Sequence, residues 1–396
     1  MKTSSHSTLV ILSVVMFSVF GIALTLTGTL LPLLIAHFGL SYGEAGTLQV
    51  SAQFGYLLAI MLTGWLVARA EGRFMVIGAL VVSLLGFGLF GWTSSFWAAC
   101  GLMVLGGAGG GTIEVVMNTV VMKLSETRRG NLLNFIHVFF GLGAFFGPAV
   151  VGKLIGMGVA WRWFYLGTGV FWAVLLLFTL TCRFPSIKPE PSADAAAATS
   201  VFGLPVVRIL FFVLMVYVGL ELGVGGWITT YLHDIEHMPT AHAAYVASAF
   251  WLGIAGGRLL LTLIGHRWHE SAIIVALTSW AILCLVGVFS LPGPWPVAIA
   301  LALVGAGYSG IYPTTISWGG GAYPAHAAQV TALVATGGGI GAVLIPWVMG
   351  YLSEGLGLAN GMRFYLLMAV VLLVLVTWAR RRQSASTPAA APTPVA

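Results

Sequence analysis

Apolar segments of about twenty residues recur along the whole 396-residue chain, and short polar stretches separate them. A helix needs about 20 apolar residues to cross the hydrocarbon core of a bilayer, where it satisfies its own backbone hydrogen bonds. The pattern therefore predicts an all-α membrane protein with twelve transmembrane helices. The predicted spans are 9–36, 45–68, 74–93, 96–123, 131–156, 162–182, 203–232, 241–265, 271–290, 295–318, 326–353 and 362–380. The first segment is too long for the core of a signal peptide, so we expect it to be retained as a span.

The two halves of the chain repeat each other at an offset of 198 residues. Several positions match in this one register, which indicates a duplication. The matches are Gly107–Gly109 with Gly305–Gly307, Gly141, Gly143, Ala144 and Pro148 with Gly339, Gly341, Ala342 and Pro346, and Arg69 with Arg267. We therefore predict two six-helix halves related by an axis along the membrane normal. Substrates of such proteins bind near the midplane, between the halves.

The repeat divides the chain into four parts. We predict an N-terminal half over 1–182, a cytoplasmic linker over 183–202, a C-terminal half over 203–382 and a disordered tail over 383–396. The linker is rich in Pro, Ala and Ser, which is typical of a flexible connection. The tail has a similar composition and cannot bury an apolar core.

Charged residues make up only 7% of the chain, and the basic ones are concentrated in the loops of one side. That side carries Lys2, Arg69, Arg73, Lys123, Arg128, Arg129, Arg183, Lys188, Arg267 and Arg380–Arg382, whereas the other carries Lys153, Arg162 and Arg363. The positive-inside rule then predicts that both termini are cytoplasmic, in the cell (inner) membrane. Because the net charge of +6 lies in loops and at the ends, we do not expect nucleic acid as a partner.

The sequence contains no motif that indicates a metal site, a bound cofactor or an enzyme active site. The three cysteines lie in apolar segments without the spacing of a disulfide framework or a metal site. The glycine runs lack the Lys-Ser/Thr that follows a nucleotide-binding loop. We therefore predict no metal, no cofactor and no enzyme activity, and expect the lipid bilayer and a small-molecule substrate as partners of a monomeric protein.

Two glutamates, Glu114 and Glu221, lie alone inside predicted spans. An ionised side chain at the bilayer centre costs about 2.5–3.5 kcal/mol on insertion scales and usually faces a bundle interior or a wet cavity. A carboxyl group there can take up and release protons as the cavity hydrates and dries. We therefore predict that both glutamates couple transport to protons, with a structural hydrogen bond or ion pair as the alternative role.

Two further polar groups have candidate roles beside these carboxyls. Arg258 lies nine residues from Arg267, about 13 Å deep along a helix, which matches the depth of Glu114 in the other half. We hypothesise that Glu114 pairs with Arg258 in one state of the cycle. His137 is a candidate proton relay, or else a satisfied interior histidine.

Candidate substrate-binding residues are amides and aromatic rings. Asn118 shares a helix face with Glu114, and Gln49 shares one with Gln53. These amides suit recognition of hydroxyl groups, but amides also bind neighbouring helices to each other. The rings that we predict to face the solute are Tyr217, Trp227, Tyr308 and Tyr312. Around Glu221 lie glycines that either let the helix unwind or pack closely against neighbouring helices.

The spans, the repeat and the central linker together resemble the major facilitator superfamily over the whole chain. Within it, three segments resemble the fucose permease-like sugar symporters: the Gly-rich run before Glu114 and Asn118, the stretch 128–148, and Tyr217-x-Gly219-x-Glu221 before Gly226-Trp227. The resemblance implies a proton-driven transporter of a neutral hexose or deoxyhexose. That group has an Asp before Leu-Leu-Pro in span one, where this chain has Thr29.

The loop between spans two and three resembles the gate motif of the superfamily. Arg69 and Arg73 fit the motif, and the resemblance implies a role for them in gating or ion pairing. Ala68, however, stands where the motif has an Asp.

The sequence as a whole predicts a secondary active transporter that works by alternating access. We expect proton-coupled symport of a small neutral polar solute such as a sugar, with sodium coupling left open. The alternative within the superfamily is an exporter of drugs or metabolites. A receptor is disfavoured because the longest hydrophilic segment is under about twenty residues.

Overall fold

The computed structural model describes residues 6–67, 69–124, 129–187 and 201–386. Thirteen α-helices and two short 3-10 turns, at Gly265–Arg267 and Pro324–His326, occur within these ranges. The helices are α1 (His6–Phe38), α2 (Tyr42–Leu66), α3 (Gly72–Phe90), α4 (Phe96–Leu124), α5 (Arg129–Gly156), α6 (Arg162–Thr181), α7 (Pro205–Asp234), α8 (Thr240–Ile264), α9 (Glu270–Ser290), α10 (Pro294–Tyr308), α11 (Ile311–Ala322), α12 (Ala327–Leu356) and α13 (Leu358–Ser386).

Twelve spans of sufficient length and hydropathy are present among the described residues, which confirms the predicted number. The tenth predicted span, 295–318, is not one helix, because α10 ends at Tyr308 and α11 begins at Ile311. The last helix continues to Ser386, so residues 383–386 are helical although we predicted them as tail. Lys2, Ala68, Arg128, Lys188–Ser200 and the tail from 387 lie outside the described residues.

Twelve crossings place the start of α1 at His6 and the end of α13 at Ser386 on one face of the bundle. We call this the terminal face, and the opposite face is the distal face. The terminal face includes the contact in which Nη2 of Arg73 donates to the carbonyl of Leu180 (2.8 Å). At the distal face, the backbone of Gly91 packs against Arg162. The loops with many basic residues therefore lie at the terminal face, and the loops with few basic residues lie at the distal face.

The halves pack their helices in the same way at repeat-related positions. A Cβ added to Gly107 in α4 would overlap the carbonyl of Ala52 in α2. A Cβ added to Gly305 in α10 would overlap the carbonyl of Phe250 in α8, and Phe250 is also 198 residues after Ala52. Small residues let helix backbones approach closely in membranes. The matching glycines of the sequence thus mark the same helix–helix contact in both halves.

The two halves meet at the distal face. There the hydroxyl of Tyr42 in α2 donates to Oδ2 of Asp234 in α7 (3.0 Å). Nε1 of Trp347 in α12 donates to the hydroxyl of Thr47 in α2 (3.1 Å). The backbones of α1 and α7 touch where Gly28 meets Gly226: a Cβ on Gly28 would lie 2.7 Å from the Gly226 Cα. The distal side of the interior is therefore closed.

Helices α5 and α8, one from each half, pack against each other. Near the distal end they are in contact, because the Ser248 hydroxyl donates to the carbonyl of Phe145 (2.6 Å). Further toward the terminal face, His137 of α5 and Arg258 of α8 are both exposed. Since the side-chain hydrogen bonds between the halves described here lie in the distal part of the bundle, we interpret the structure as a conformation open toward the terminal face.

Candidate functional site

Glu114 is the polar centre of the N-terminal half. It lies in α4, and its Oε2 accepts a hydrogen bond from the hydroxyl of Tyr56 in α2 (2.8 Å). The Tyr56 ring stacks on Phe20 of α1, with 5.8 Å between ring centroids and 19° between planes. Gly111, one turn before Glu114, packs against the backbone of Tyr56, which brings the two helices close. This carboxyl therefore has a neutral partner.

Glu221 is the polar centre of the C-terminal half, and its partner is charged. Oε1 of Glu221 in α7 lies 3.3 Å from Nη2 of Arg258 in α8. The Arg258 side chain is 46% exposed, whereas that of Glu221 is 11% exposed. The carboxylate is therefore shielded from water behind the guanidinium.

The break between α10 and α11 is part of the same centre. Pro313 has no N–H and its ring clashes with the carbonyl four residues earlier, which belongs to Ser309. The freed carbonyl of Ser309 accepts a hydrogen bond from Nε of Arg258 (2.9 Å). The carbonyl of Tyr308 accepts one from the Tyr217 hydroxyl (2.7 Å). Neighbouring helices thus supply the donors that the broken helix lacks.

We hypothesised that Arg258 pairs with Glu114 in one state of the cycle. In this conformation Arg258 pairs with Glu221 instead. The two centres are nevertheless near each other. Tyr312 at the start of α11 lies within electrostatic range of Glu114, Glu221 and Arg258. His137 lies within electrostatic range of Arg258, and its ring packs edge-on against Phe17 (4.9 Å).

A cavity lies between the halves, just inside the distal closure. Gln49, Gln53 and Tyr56 line it from one face of α2, with Thr25 and Thr27 from α1 and Trp251 from α8. Its volume is about 50 Å³. That is room for water, but drug-sized ligands occupy pockets of roughly 300–1,000 Å³. A ring-sized solute therefore requires the halves to move apart.

Among the described residues, those that line this cavity carry no charged side chain. Its polar groups are amides and hydroxyls, and Oε1 of Gln49 is buried without a hydrogen-bond partner. The amide of Gln49 also lies over Gly226, where an added Cβ would overlap Nε2. Such groups can bind hydroxyl groups of a neutral solute.

The predicted aromatic residues separate into two groups. Trp227, Tyr217 and Tyr308 are fully buried in helix packing and do not line the cavity. Tyr312 is 36% exposed. The helix break separates Tyr308 from Tyr312, so their spacing of four residues does not place them on one face. Asn118 has its Oδ1 buried without a hydrogen-bond partner.

The residues that line the cavity and that sequence reasoning missed include Thr25 and Thr27 and the aromatic residues Phe20, Tyr56 and Trp251. Tyr56 could have been found, because residues 49, 53 and 56 share one face of a helix. Phe20 and Trp251 carry no such signal among the 12% aromatic residues of the chain.

The glycines around Glu221 pack closely rather than unwind the helix, since α7 is continuous from Pro205 to Asp234. A Cβ on Gly219 would lie 2.6 Å from the Ile345 Cβ of α12. A Cβ on Gly223 would lie 2.5 Å from the Tyr365 hydroxyl of α13.

Arg69 and Arg73 bind backbone carbonyls at the terminal face. Nη1 of Arg69 donates to the carbonyl of Trp65 (3.0 Å), and its guanidinium lies 3.9 Å from the Trp65 ring centroid. Arg73 bonds to Leu180 as described above. Within the described residues no ion pair involves either arginine, and their gating role stays a prediction.

Comparison with known proteins agrees with this architecture. Residues 12–294 match the family model of the Major Facilitator Superfamily. The protein TsgA of Escherichia coli O157:H7 is 25% identical over 394 residues, covering 97% of this chain and 98% of that protein.

Solved structures share the fold across nearly the whole chain. A variant of the nucleoside transporter NupG matches with a TM-score of 0.80 and 16% identity, covering 94% of this chain and 99% of that one. A variant of the E. coli fucose:proton symporter FucP matches with a TM-score of 0.63 and 19% identity, covering 93% and 98%. The twelve spans, the repeated packing and the family match lead to one conclusion. The chain belongs to the Major Facilitator Superfamily and is a multi-pass membrane transporter rather than an enzyme.

Proposed function

We propose that this transporter is a symporter that carries a small neutral polar solute, such as a sugar, together with protons. It acts as a monomer in the cell (inner) membrane, with the terminal face and both chain ends in the cytoplasm. The positive charges in the loops of the terminal face support this orientation. Proton entry down its gradient then drives uptake of the solute.

The observation that supports symport most strongly is the pair of membrane-embedded carboxyls, Glu114 and Glu221, one in each half. Intramembrane acids of this kind commonly belong to ion pathways and proton relays. Glu114 has the neutral Tyr56 as its hydrogen-bond partner, so it can hold a proton without losing an ion pair. Glu221 has the cationic Arg258, so protonation would weaken an ion pair.

The cavity lining supports a neutral and hydroxylated solute. Its amides and hydroxyls offer hydrogen bonds but no counter-charge. Two transporters with this fold have names that refer to such solutes, a nucleoside transporter and a fucose:proton symporter. Both are under 25% identical to this chain, so the solute class proposed here depends on the cavity chemistry.

The closed distal face and the open terminal face support transport by alternating access. Rigid-body rocking of one half against the other would separate Gly28 from Gly226 and break the Tyr42–Asp234 hydrogen bond. The cavity would then enlarge toward the distal face and admit the solute. Return to the structure described here releases it at the terminal face.

The proposal is tested by recording pH outside lightly buffered proteoliposomes while neutral sugars are added one at a time. We expect the outside to become alkaline on addition of one sugar, and expect the Glu114→Gln variant to lose this signal. Glu236→Gln is the control, since Glu236 lies in the loop between α7 and α8 and does not line the cavity. Lack of response to any sugar by folded wild-type protein contradicts proton symport, and sodium-driven uptake or drug export would then be measured.

Gln53→Leu is expected to raise the KM for the solute by about tenfold. Removing a hydrogen-bond partner of a buried polar group costs about 1–3 kcal/mol, and about 1.4 kcal/mol corresponds to a factor of ten. Initial rates of labelled-solute uptake measure the change. Gln329→Leu in α12 removes an amide that does not line the cavity, and we expect it to leave KM unchanged. An unchanged KM in Gln53→Leu would remove this residue from the solute site.

A further inference from the structure

A second cavity lies wholly within the C-terminal half, between α8, α9 and α11. Its volume is about 470 Å³. Arg258 lies at its inner end, and Trp268 and Glu270 lie near the terminal face. The hydroxyls of Thr262, Thr314 and Ser317 line it between these ends. We call this cavity the C-half groove.

The C-half groove is distinct from the cavity between the halves, because the two share no lining residue. The cavity between the halves is enclosed by α1, α2, α7 and other helices near the distal closure. The C-half groove begins at the depth of Arg258 and runs toward the terminal face. A solute leaving the first cavity can therefore pass between the halves without entering the C-half groove.

Arg258 connects the C-half groove to Glu221. Its guanidinium lines the groove, and Nη2 lies 3.3 Å from Oε1 of Glu221, which does not itself line it. Water in the groove thus reaches Arg258 first and the carboxylate directly behind it.

The surroundings of Glu221 offer one cation and several phenols. Arg258 faces it from α8, Tyr217 from its own helix, Tyr308 from α10 and Tyr312 from α11. Tyr365 of α13 faces Tyr308 in turn. In the described part of α12, which also packs against α7, the one charged residue is Glu354, and it lies at the distal end. Arg258 is therefore the single charged group beside this carboxyl in the described chain.

We propose that the proton carried by Glu221 leaves to the terminal face through the C-half groove, past Arg258, while the solute leaves between the halves. In the releasing step a water molecule enters from the groove past Arg258, whose ion pair with the protonated carboxyl is broken, and takes the proton from that carboxyl. The products are a carboxylate, which re-forms the ion pair with Arg258, and a hydronium ion. The inference rests on the proposed function, and it assigns the two cargoes separate exits.

The hydrogen bond from Arg258 to Ser309 supports this assignment. Because Nε is bound to the carbonyl of Ser309, the guanidinium stays at the inner end of the groove. Thr262 is similarly held, since its hydroxyl donates to the Arg258 carbonyl (2.8 Å). The polar inner end of the groove is therefore built from ordered groups.

The test is to fill the groove and to compare two kinds of transport in proteoliposomes. Thr262→Phe and Thr314→Phe place a ring in the groove without touching the lining of the other cavity. We expect net uptake driven by a pH gradient to fall at least tenfold, and exchange of labelled for unlabelled solute to stay within twofold of wild type. Thr181→Phe is the control, because Thr181 is an exposed threonine at the terminal end of α6 in the other half.

A cysteine variant separates blockage from misfolding in the same protein sample. Thr314→Cys is modified by a bulky methanethiosulfonate reagent and then restored with a reducing thiol. The native cysteines Cys100, Cys182 and Cys284 are buried, so little background reaction is expected. Coupled uptake should fall on modification and return on reduction, while exchange persists throughout.

The outcomes distinguish the two levels of the proposal. If exchange and coupled uptake fall equally, the solute also uses the groove. If coupled uptake is unchanged, protons do not leave through the groove. Either result contradicts the proposal that proton and solute leave by separate routes. If the wild-type protein moves solute without protons, the proposed proton symport is wrong, and so is the proton exit through the groove.

Discussion

Gly28→Ala is expected to shift the protein toward a conformation open at the distal face and to slow transport. The added Cβ would lie 2.7 Å from the Gly226 Cα and 2.8 Å from its carbonyl oxygen. These are backbone atoms of α7, so no side chain can move aside. Overpacking of this kind costs about 1–3 kcal/mol. The ratio of distal-closed to distal-open protein should therefore fall by about 5- to 150-fold, at about 1.4 kcal/mol per factor of ten.

The conformational shift is measured with a cysteine at Val50, which is 6% exposed and lines the cavity between the halves. A membrane-impermeant maleimide added from the distal side should label this cysteine faster in Gly28→Ala than in the parent. Gly78→Ala in α3 is the matched control, because no heavy atom lies within 4 Å of its added Cβ. Wild-type labelling and wild-type uptake in Gly28→Ala would show that the α1–α7 contact does not control access.

Gly55→Ala provides a second comparison for this variant. Its added Cβ would overlap the carbonyl of Val104 inside the N-terminal half, away from the contact between halves. We expect a lower melting temperature without increased labelling from the distal side. The two substitutions thus separate a contact that controls conformation from one that stabilises a half.

Arg258→Gln is expected to abolish coupled uptake and to lower the melting temperature more than Glu221→Gln does. It leaves the Glu221 carboxylate, 11% exposed, without its cation, and it removes the Nε donor from the Ser309 carbonyl. Removal of one member of a buried pair costs about 3–5 kcal/mol. The Arg258 side chain is 46% exposed, so solvent screening should bring the loss below that range.

Glu221→Gln should be milder because Arg258 keeps water and the Ser309 carbonyl as partners. We expect it to retain solute exchange and to lose accumulation driven by a pH gradient. The double variant, Glu221→Gln with Arg258→Gln, should melt at a higher temperature than Arg258→Gln alone, because no unpaired carboxylate remains. Thermal denaturation in detergent and uptake in proteoliposomes measure these effects. If the double variant is as unstable as Arg258→Gln, then Arg258 does not stabilise the protein through its ion pair with Glu221.

Much of the site could be predicted from residue spacing along single helices. Glu114 and Glu221 stand out because a charged group is rare in an apolar span. Gln49 and Gln53 were predicted on one face of α2, and the structure places both at the cavity. These cases share a physical basis, since positions three or four apart on one helix point the same way.

The aromatic candidates show where this reasoning fails. A membrane helix is apolar all round, so its sequence does not reveal which side faces lipid, a neighbouring helix or a cavity. Trp227 was predicted at the solute and instead packs among buried residues, 6.3 Å from the Tyr42 ring. Trp251 carries the same kind of side chain and does line the cavity.

The sequence by itself determined the twelve spans, the repeat of the two halves and the depth of each polar group, because length, hydropathy and residue spacing act along one chain. Tertiary structure decided which groups meet. Depth along α8 is compatible with Arg258 pairing with either glutamate, and the arrangement of helices selects Glu221 at 3.3 Å. Likewise Pro313 breaks the tenth span locally, but only the packing of α7 and α8 brings Tyr217 and Arg258 to the carbonyls that the break exposes.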